Sequence, residues 1–449
     1  MKHLTIKHIA ILFWSFSMKH DIAVIGAGPM GLAVAYQLAQ DGYRPIIFEA
    51  DDRIGGQAAS FSFDGLEIER FYHFHCTSDK AFLKTLEELN LKKKMRWTET
   101  KMGYYYQENV QPWGNPFALL KFSGLNLFSK IRYGLHVFLA TRRKNWKSLD
   151  QLESTVWLKR WVGKEAYKVL WEKLFELKFY NYAKSTSAAW TWSRIRRIGR
   201  SRYSIFREKL GYLEGGSDTL LQAMREYIEK KGGEFHLTCP VEKIVIENGE
   251  TKGIQSQRGF ESFEKVISTI PLPYLPNILK DLPEDVLKLY RGIDNIAVVC
   301  VVAKLAIPVT QNFWLNINDP KVEIPGIVEY SNLRSFEKHI VYAPYYMPTL
   351  YPKFKQSDQA FQSELMGYLK KINPLLKDDD FLAMHVSRYQ YAQPVCTPGF
   401  LEQLPPVKLP VKGLWAADTS YYYPEDRGIS ESIDFGRGIA RDAMRNNQN

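Results

Sequence analysis

The spacing of apolar and polar positions predicts three consecutive elements near the start of the chain. Residues 21–25 form a short run rich in isoleucine and valine, which is typical of a buried parallel strand. Residues 32–39 are rich in leucine and alanine and predict a helix, and residues 44–48 form a second apolar run that ends before Glu49. A strand, a helix and a second strand in this order indicate a βαβ unit.

A β-hairpin is predicted in the middle of the chain. Residues 241–247 alternate between apolar and polar side chains, Asn248 and Gly249 follow, and the apolar pattern returns through Ile254. Asn-Gly between two such segments is the strongest short-range hairpin signal. A strand-like segment at 234–237 precedes the hairpin and adds to the predicted β-structure.

Two segments on either side of this hairpin have patterns of their own. The run 149–179 is amphipathic and rich in helix-favouring residues, and Ser148 with Gln151 has the spacing of a capping box at its start. The later segment contains strand-like and helix-like runs, at 296–302, 327–330 and 359–371. We therefore expect a mainly helical first insert and a mixed second insert.

Composition limits the class of protein. A chain of 449 residues, 45% hydrophobic and 14% aromatic, is too long for one ordinary core and predicts two or three structural units. Aromatic residues at this density suit the walls of an apolar ligand pocket as well as the core. The four cysteines lie far apart and form no CxxC pair, which argues against a zinc site and favours a reducing, cytoplasmic setting. They are Cys76, Cys239, Cys300 and Cys396.

The formal net charge of +11 favours anionic partners. Phospholipid head groups and a phosphorylated small-molecule substrate are the two preferred classes, because no recognised nucleic-acid-binding motif accompanies the charge. We therefore expect a small-molecule substrate, no nucleic acid and a possible peripheral membrane contact.

Residues 1–17 form a short leader that ends before Met18. Its apolar run is far too short to span a bilayer, which takes about 20 residues. The leader is interpreted as a mis-annotated start or a weak signal segment, with translation from Met18 preferred.

A glycine-rich turn joins the first predicted strand to the first helix. Gly26 permits a tight turn, Gly28 lets the backbone approach a pyrophosphate, and Gly31 allows close packing of helix on strand. The residues expected to contact a dinucleotide here are Gly26, Gly28, Pro29, Met30 and Gly31. Glu49 stands about 20 residues further on, where a carboxylate accepts hydrogen bonds from a ribose 2′-hydroxyl and disfavours a 2′-phosphate.

The segment after Glu49 indicates which dinucleotide, FAD or NAD, is bound. It reads Ala50-Asp-Asp-Arg53-Ile-Gly55-Gly56-Gln57 and resembles the flavin-containing amine oxidase superfamily, which includes protoporphyrinogen oxidases, carotenoid desaturases and, more distantly, UDP-galactopyranose mutases. The resemblance implies that FAD is the cofactor. It also implies that the Arg-x-Gly-Gly step runs along the cofactor, where there is no room for Cβ atoms. The residues it assigns to FAD are Ala50, Arg53, Gly55, Gly56 and Gln57.

The resemblance returns near the other end of the chain. Residues 414–418 look like the closing strand of that superfamily, with Asp418 as the acid that meets the ribityl hydroxyls, and a last helix follows Gly428. Further residues implied to contact FAD are Val241, Gly428, Ile429 and Ser430. The chain departs from the usual pattern at Ser430 and Glu431, where the superfamily has glycine or alanine pairs.

The fold implied is α/β, with a Rossmann-type FAD-binding domain split in sequence and an inserted α+β substrate domain. The FAD-binding domain is expected at 18–75, 210–275 and 405–449. The substrate domain is expected at 76–209 and 276–404.

Three groups of residues are candidates for substrate contact. His73 and His75 would share one face of a strand, and structural, flavin-side and metal roles stay open, although no further ligand completes a metal site. Arg196 and Arg197 belong to an arginine-rich stretch at 190–202, for which a solvated face, an anion clamp and membrane contact are equally open.

The segment 117–147 mixes apolar and basic residues as an interfacial helix would. Tyr421 and Tyr423 are expected to wall the substrate cavity, while Asp426 and Arg427 are interpreted as a structural pair.

These features predict an FAD-dependent oxidoreductase that transfers hydride from a C–H bond of an aromatic or extended apolar substrate to flavin N5. No catalytic base or metal ligand is identified. One alternative is a non-redox flavoenzyme of the UDP-galactopyranose mutase type, in which the arginines hold a pyrophosphate. The other is a flavin-loaded binding protein without a reactive flavin.

Overall fold

A computed structural model describes residues 19–201, 204 and 207–445. The leader at 1–17 and Arg202 of the arginine-rich stretch lie outside the described residues.

The described strands are given in chain order. They are β1 (Lys19–Ile25), β2 (Tyr43–Phe48), β3 (Ser60–Phe63), β4 (Leu66–Glu69), β5 (Met95–Thr100), β6 (Met102–Tyr106), β7 (Asn109–Trp113), β8 (Glu208–Leu213), β9 (Glu234–His236), β10 (Val241–Glu247), β11 (Glu250–Ser256), β12 (Gly259–Ser262), β13 (Val266–Ser268), β14 (Asn295–Leu305), β15 (Trp314–Asn318), β16 (Gly326–Glu329), β17 (His339–Pro348), β18 (Phe381–Pro394) and β19 (Leu414–Ala416).

The described α-helices follow in the same order. They are α1 (Pro29–Gln40), α2 (Lys80–Glu88), α3 (Pro116–Lys121), α4 (Leu127–Arg142), α5 (Lys147–Asp150), α6 (Ser154–Val162), α7 (Lys164–Tyr167), α8 (Lys173–Phe179), α9 (Ala188–Arg200), α10 (Asp218–Lys230), α11 (Leu275–Ile278), α12 (Glu284–Arg291), α13 (Asp358–Ile372), α14 (Phe400–Gln403) and α15 (Ile429–Arg445).

The strands of the N-terminal βαβ unit, β1 and β2, belong to a five-stranded parallel sheet in the order β19-β13-β1-β2-β9. In its centre Ile25 pairs with Phe48 on one side and with Ser268 on the other. Parallel strands in register end at one edge of a sheet, so the residues that follow them are brought together there. Glu49 follows β2 and Asp418 comes soon after β19, which places both carboxylates at this edge.

Helix α1 covers this sheet through unusually close contacts. A Cβ on Gly31 would lie 1.9 Å from the carbonyl oxygen of Gly26, and a Cβ on Gly436 of α15 would lie 2.5 Å from the carbonyl oxygen of Met30. Glycine is therefore required at 31 for α1 to approach the turn after β1, and at 436 for α15 to approach α1. The predicted βαβ unit and the predicted hairpin (β10 and β11) are present in the structure.

A seven-stranded sheet, in the order β18-β14-β17-β16-β15-β6-β7, forms a second layer. Side chains alternate across its strands, as the pleat requires. In β14 Val299 and Val301 pack towards Phe361 of α13, whereas Val298 and Cys300 border the cavity described below. This sheet therefore separates a helix-covered core from a ligand-sized space.

The long helix predicted at 149–179 is broken, and the predicted capping box is wrong. Ser148 lies inside α5, whose N-cap is Trp146, and its hydroxyl accepts a hydrogen bond from Arg143 instead of capping a helix. Gly163, with φ of +86°, separates α6 from α7. The apolar pattern continues across these breaks because the short helices bury the same side, so periodicity alone does not reveal them.

The predicted α/β fold with a Rossmann-type parallel sheet is confirmed. The strands of this sheet come from 19–48, 234–268 and 414–416, whereas those of the seven-stranded sheet come from 102–113 and 295–394. The limits proposed for the two domains stay a prediction.

Candidate functional site

One large cavity, of about 1470 Å³, borders both sheets. It extends from the glycine-rich turn before α1 to the helices α3, α4, α8 and α9. Pockets for a single small ligand usually measure about 300–1,000 Å³. The cavity therefore has room for a dinucleotide and for a second molecule beside it.

The turn before α1 provides one end of this cavity. Gly28 is the N-cap of α1 and has no side chain to cap the helix, so the first backbone N–H groups and the positive end of the helix dipole face the cavity. A Cβ on Gly28 would meet no other atom within 4 Å, whereas any longer side chain would project into the open space. This is the arrangement that a bound phosphate group requires.

Glu49 lies beside this turn at the end of β2. Its carboxylate accepts hydrogen bonds from the backbone N–H of Ala27 at 2.7 Å and of Asp51 at 2.9 Å, which holds it at the cavity wall. Burial raises the pKa of the carboxyl, and the backbone hydrogen bonds oppose that rise. The position suits contact with ribose hydroxyls, as the sequence predicts.

The second carboxylate of this edge is Asp418. It is buried and accepts hydrogen bonds from the backbone N–H of Leu272 at 2.9 Å and of Ser420 at 2.8 Å. Burial raises its pKa above the ordinary value. Directly beyond it, Gly428 and the first residue of α15, Ile429, also border the cavity, so a second helix N-terminus faces the same space.

Most residues predicted to contact FAD border the cavity. They are Gly26, Gly28, Pro29, Met30, Glu49, Ala50, Gly56, Gln57, Val241, Asp418, Gly428 and Ile429.

Four other predicted residues do not border the cavity, and they contact neighbouring segments of the protein instead. Gly31 packs on Gly26, and Gly55 donates its N–H to Ala27. Arg53 bonds to the neighbouring Asp52 and to the carbonyl of Ser60, while the Ser430 hydroxyl accepts the N–H of Phe82 in α2.

These features fit FAD. The cavity offers two helix N-termini, two acidic residues for hydroxyl groups and a glycine whose missing Cβ leaves space at the phosphate-binding turn. The residues that would hold the cofactor are the glycine-rich turn, Glu49, Asp418 and the start of α15.

The arginine-rich stretch forms α9, and only part of it reaches the cavity. Arg194 and Arg197 border the cavity, whereas Arg196 does not. Residues three apart share a helix face, and Arg196 is rotated away to lie over the Trp192 ring, with Glu425 at 3.5 Å. Arg196, predicted as a substrate residue, therefore does not border the cavity, and Arg194 of the same helix does; the substrate roles of these arginines stay a prediction.

Among the three tyrosines at 421–423, the one that borders the cavity is likewise not one of those predicted. Tyr421 donates its hydroxyl to the carbonyl of Pro405, and the Tyr423 hydroxyl bonds to Asp150 and Ser187. Tyr422 is the one that borders the cavity. Successive residues of the 3₁₀ turn at 419–422 point about 120° apart, so Tyr421 and Tyr422 face different sides. Tyr421 and Tyr423, expected to wall the cavity, do not border it.

His73 and His75 both border the cavity, but they do not lie side by side on a strand as predicted. His75 stacks on Phe82 with the ring centroids 3.6 Å apart. The Nδ1 of His73 is buried and meets no hydrogen-bond partner within the described part of the chain. Burial lowers the pKa of both imidazoles, which keeps them neutral.

Several cavity residues were not singled out from the sequence. Lys178 of α8 and Tyr346 of β17 border the cavity together with Trp190 and Arg427. Arg427 makes no hydrogen bond to Asp426, which bonds to Arg194, and donates to neutral acceptors, although its charge, after that of Arg194, lowers the pKa of the Asp426 carboxyl. The spacing of Trp190, Arg194 and Arg197 at i, i+4 and i+7 is the one sequence signal that marks this side of α9.

The outer side of α3 and α4 carries an unusual number of exposed apolar side chains. They are Phe117, Leu120, Leu127, Phe128, Ile131, Leu135, Phe138 and Leu139, and we call them the apolar face. Phe138 is 50% exposed and also borders the cavity, so the cavity reaches the surface beside this face. No described helix combines the length and the hydrophobicity needed to cross a bilayer.

Comparison with known proteins gives three kinds of similarity. A family model described as flavin containing amine oxidoreductase matches residues 31–420. The 15-cis-phytoene desaturase of Synechococcus elongatus is 24% identical over 58% of this chain and 60% of its own length. The mitochondrial protoporphyrinogen oxidase of Nicotiana tabacum is 31% identical over 33% of this chain and 30% of its own length.

A crystal structure of reduced UDP-galactopyranose mutase has the same fold, with a TM-score of 0.74 and 15% identity over 96% of this chain and 97% of that one. The chain thus spans less than two thirds of the curated relatives, whereas its fold matches a solved structure over almost the whole length.

Proposed function

The chain belongs to the family of flavin containing amine oxidoreductases, and we propose that it is an FAD-dependent oxidoreductase that removes hydride from a C–H bond of an extended apolar or aromatic substrate. The observation that carries this proposal is the single continuous cavity. Its one end has the features that fit FAD, and its other end is a chamber between α4, α8 and α9.

The chamber suits an apolar molecule because of its walls. Leu170, Phe175 and Phe179 line one side, and Val137 and Phe138 of α4 line another. Such walls exclude water from the reacting atoms and hold an apolar substrate by burial of its surface. A cavity of this size also admits a long or multi-ring molecule.

Bound FAD supplies a two-electron acceptor for the hydride. The chain's own residues bind it through the glycine-rich turn and the two acidic residues, and they keep the chamber dry. Tyr346 of β17 and His73 also border the cavity, and we infer that their side chains orient a substrate.

We further propose that the protein takes its substrate from an anionic membrane surface, on which the apolar face rests. Residues 109–149 contain seven cationic side chains and no acidic one: Lys121, Lys130, Arg132, Arg142, Arg143, Lys144 and Lys147. An apolar face on a segment whose charged side chains are all basic matches a bilayer interface with negative head groups. Because Phe138 belongs both to this face and to the cavity wall, an apolar substrate would pass from lipid to the chamber without crossing water.

The test is the absorption spectrum of the purified protein, followed by anaerobic mixing with amines, porphyrinogens and polyenes. Bleaching of the flavin absorption by a member of these classes supports the proposal, and recovery of the colour in air identifies oxygen as an acceptor. Protein that takes up no FAD contradicts it.

A flavin that none of these substrates reduces contradicts the proposed substrate class. If the protein, reduced beforehand with dithionite, then converts a sugar nucleotide without net oxidation, it acts as a mutase and not as an oxidase.

A further inference from the structure

Three cationic side chains from separate parts of the chain converge in the chamber. Lys178 lies with its Nζ 4.9 Å from the centroid of the Tyr346 ring and 5.2 Å from that of Trp190. The guanidinium of Arg194 lies 4.3 Å from the same Trp190 ring, and that of Arg427 lies 6.0 Å from the Tyr346 ring. All five residues border the cavity. We call Lys178, Arg194 and Arg427 the cation cluster.

The cation cluster carries more positive charge than the protein compensates. Asp426 is the single carboxylate that acts on Lys178 among the described residues, and it already bonds to Arg194. Arg427 donates to the carbonyl of Ala392 at 2.8 Å and to the amide oxygen of Gln393 at 3.0 Å, which are both uncharged. Two guanidinium charges, with the amine of Lys178 beside them, therefore face one carboxylate in a buried space.

Nearby charges do not correct this excess. Arg197, one turn along α9, is compensated by Asp79 at 3.3 Å, and Arg196 by Glu425 at 3.5 Å. Each of these cations thus has a carboxylate within 4 Å, and Glu431 also acts on Arg197, whereas Lys178 and Arg427 form no ion pair among the described residues.

The cluster also has hydrogen-bond donors without acceptors. The Nε and Nη2 atoms of Arg194 are buried and have no partner within the described part of the chain. Burial, together with the charge of Arg194, holds the pKa of Lys178 well below its usual range. Buried donors and buried charge of one sign are unfavourable unless a ligand completes them.

We propose that the cation cluster binds an anionic group, a carboxylate or a phosphate, carried at one end of the apolar substrate. Two guanidinium groups and an ammonium supply the directed donors that an oxyanion accepts, and the aromatic rings beside them keep water away. The proposal deepens the proposed function and rests on it, since it assigns the substrate of the same chamber. It makes neutral polyenes and protonated amines poor ligands compared with acids of similar shape.

Binding of matched ten-carbon probes to the FAD-loaded protein tests this inference. Decanoate, decyl phosphate, decanol and decylamine have the same chain and differ in the head group. Quenching of tryptophan fluorescence, to which Trp190 contributes, reports binding without turnover. We expect at least one of the two anions to bind at least about tenfold more tightly than decanol, and decylamine to bind most weakly. The stronger of the two anions identifies the preferred head group.

Variants connect that preference to the cluster. Lys178→Met keeps the length of the side chain and removes its charge, so we expect the anion preference to fall to about that of decanol, whose own binding stays unchanged. Lys178→Arg should retain the preference. Lys159→Met is the control, because Lys159 also lies over an aromatic ring, Tyr167 at 4.5 Å, but is exposed and does not border the cavity. Arg427→Gln serves as the second variant if Lys178→Met does not fold.

Two results would overturn the inference: anions that bind no better than decanol, or a preference that survives in both Lys178→Met and Arg427→Gln. Failure of the proposed function looks different. In that case the flavin is absent or is not reduced by any substrate, irrespective of how the probes bind.

Discussion

The guanidinium of Arg197 lies 3.3 Å from the carboxylate of Asp79, which is only 4% exposed. Arg197 belongs to α9 of the helical insert, whereas Asp79 is the N-cap of α2 and accepts the backbone N–H of Cys76 at 2.9 Å. The contact therefore joins two distant parts of the chain at the cavity wall, through a charged pair that is largely removed from water.

Asp79→Asn should lower stability markedly, because it leaves the Arg197 charge without its partner in a buried place. Removal of one member of a buried pair costs about 3 kcal/mol or more. Thermal unfolding with excess FAD measures the change, and we expect a clear fall in Tm. Glu99→Gln is the control, since the pair of Glu99 with Arg207 is exposed and contributes at most about 1 kcal/mol. Equal Tm values for the two variants would contradict the assignment.

Gly28→Val should abolish FAD retention while the protein still folds. The valine side chain would enter the cavity at the turn where the phosphates of FAD are expected, and no protein atom stands in its way. Gly367→Val is matched to it, because a Cβ at Gly367 also meets nothing within 4 Å, but that residue lies in α13 away from the cavity. The ratio of flavin to protein absorbance after gel filtration should fall at least about tenfold for Gly28→Val only. A yellow Gly28→Val protein would refute the role of this turn.

Glu431 should make the stability of the protein depend on pH. Burial raises the pKa of its carboxyl from 4.5 to about 7, against the opposing effect of Arg197. Between these values the folded state binds more protons than the unfolded state, so stability falls as the pH rises from about 5 to about 7. Tm measured across pH 5 to 8 should show this slope in the parent protein and a weaker one in Glu431→Gln. Glu402→Gln, at an exposed position, should keep the parent slope.

Phe128→Glu combined with Ile131→Glu should prevent binding to anionic vesicles. Both residues lie on the apolar face, and their side chains are 68% and 58% exposed. Burial of each side chain in a bilayer would contribute about 1.5–3 kcal/mol to the free energy of binding. Co-sedimentation with phosphatidylglycerol vesicles should fall more than about tenfold, and phosphatidylcholine vesicles should bind the parent protein weakly. Phe260→Glu changes a phenylalanine of β12 that is 53% exposed and lies outside the apolar face, and it should have no effect. Parent protein that ignores anionic vesicles would refute the membrane proposal.

The cofactor end of the cavity could be predicted from sequence because it depends on the chain direction of neighbouring strands. Glu49 and Asp418 each follow a strand of one parallel sheet, and parallel strands end at the same edge. The glycines of the turn are required by close backbone contacts, such as that of Gly31 with Gly26, because these contacts leave no room for a Cβ atom.

The substrate end could not be predicted in the same way, because α9 has two similar sides. Trp190, Arg194 and Arg197 share one side, and Trp192 with Arg196 lies on another. Each side combines tryptophan with arginine, so composition and periodicity do not show which one borders the cavity. Only the packing of Trp192, whose indole N–H donates to the carbonyl of Ala140 in α4, decides the orientation of the helix.

The parallel sheet has a consequence for the synthesis of the protein. Its edge strand β19, at 414–416, pairs with β13, and α15 packs on α1 through Gly436 and Met30. The turn before α1 is therefore supported by segments that are synthesised much later than the turn itself. Until residues 414–445 have emerged, the nascent chain exposes the surface of α1 that α15 will cover, and apolar surface exposed in this way is prone to aggregation.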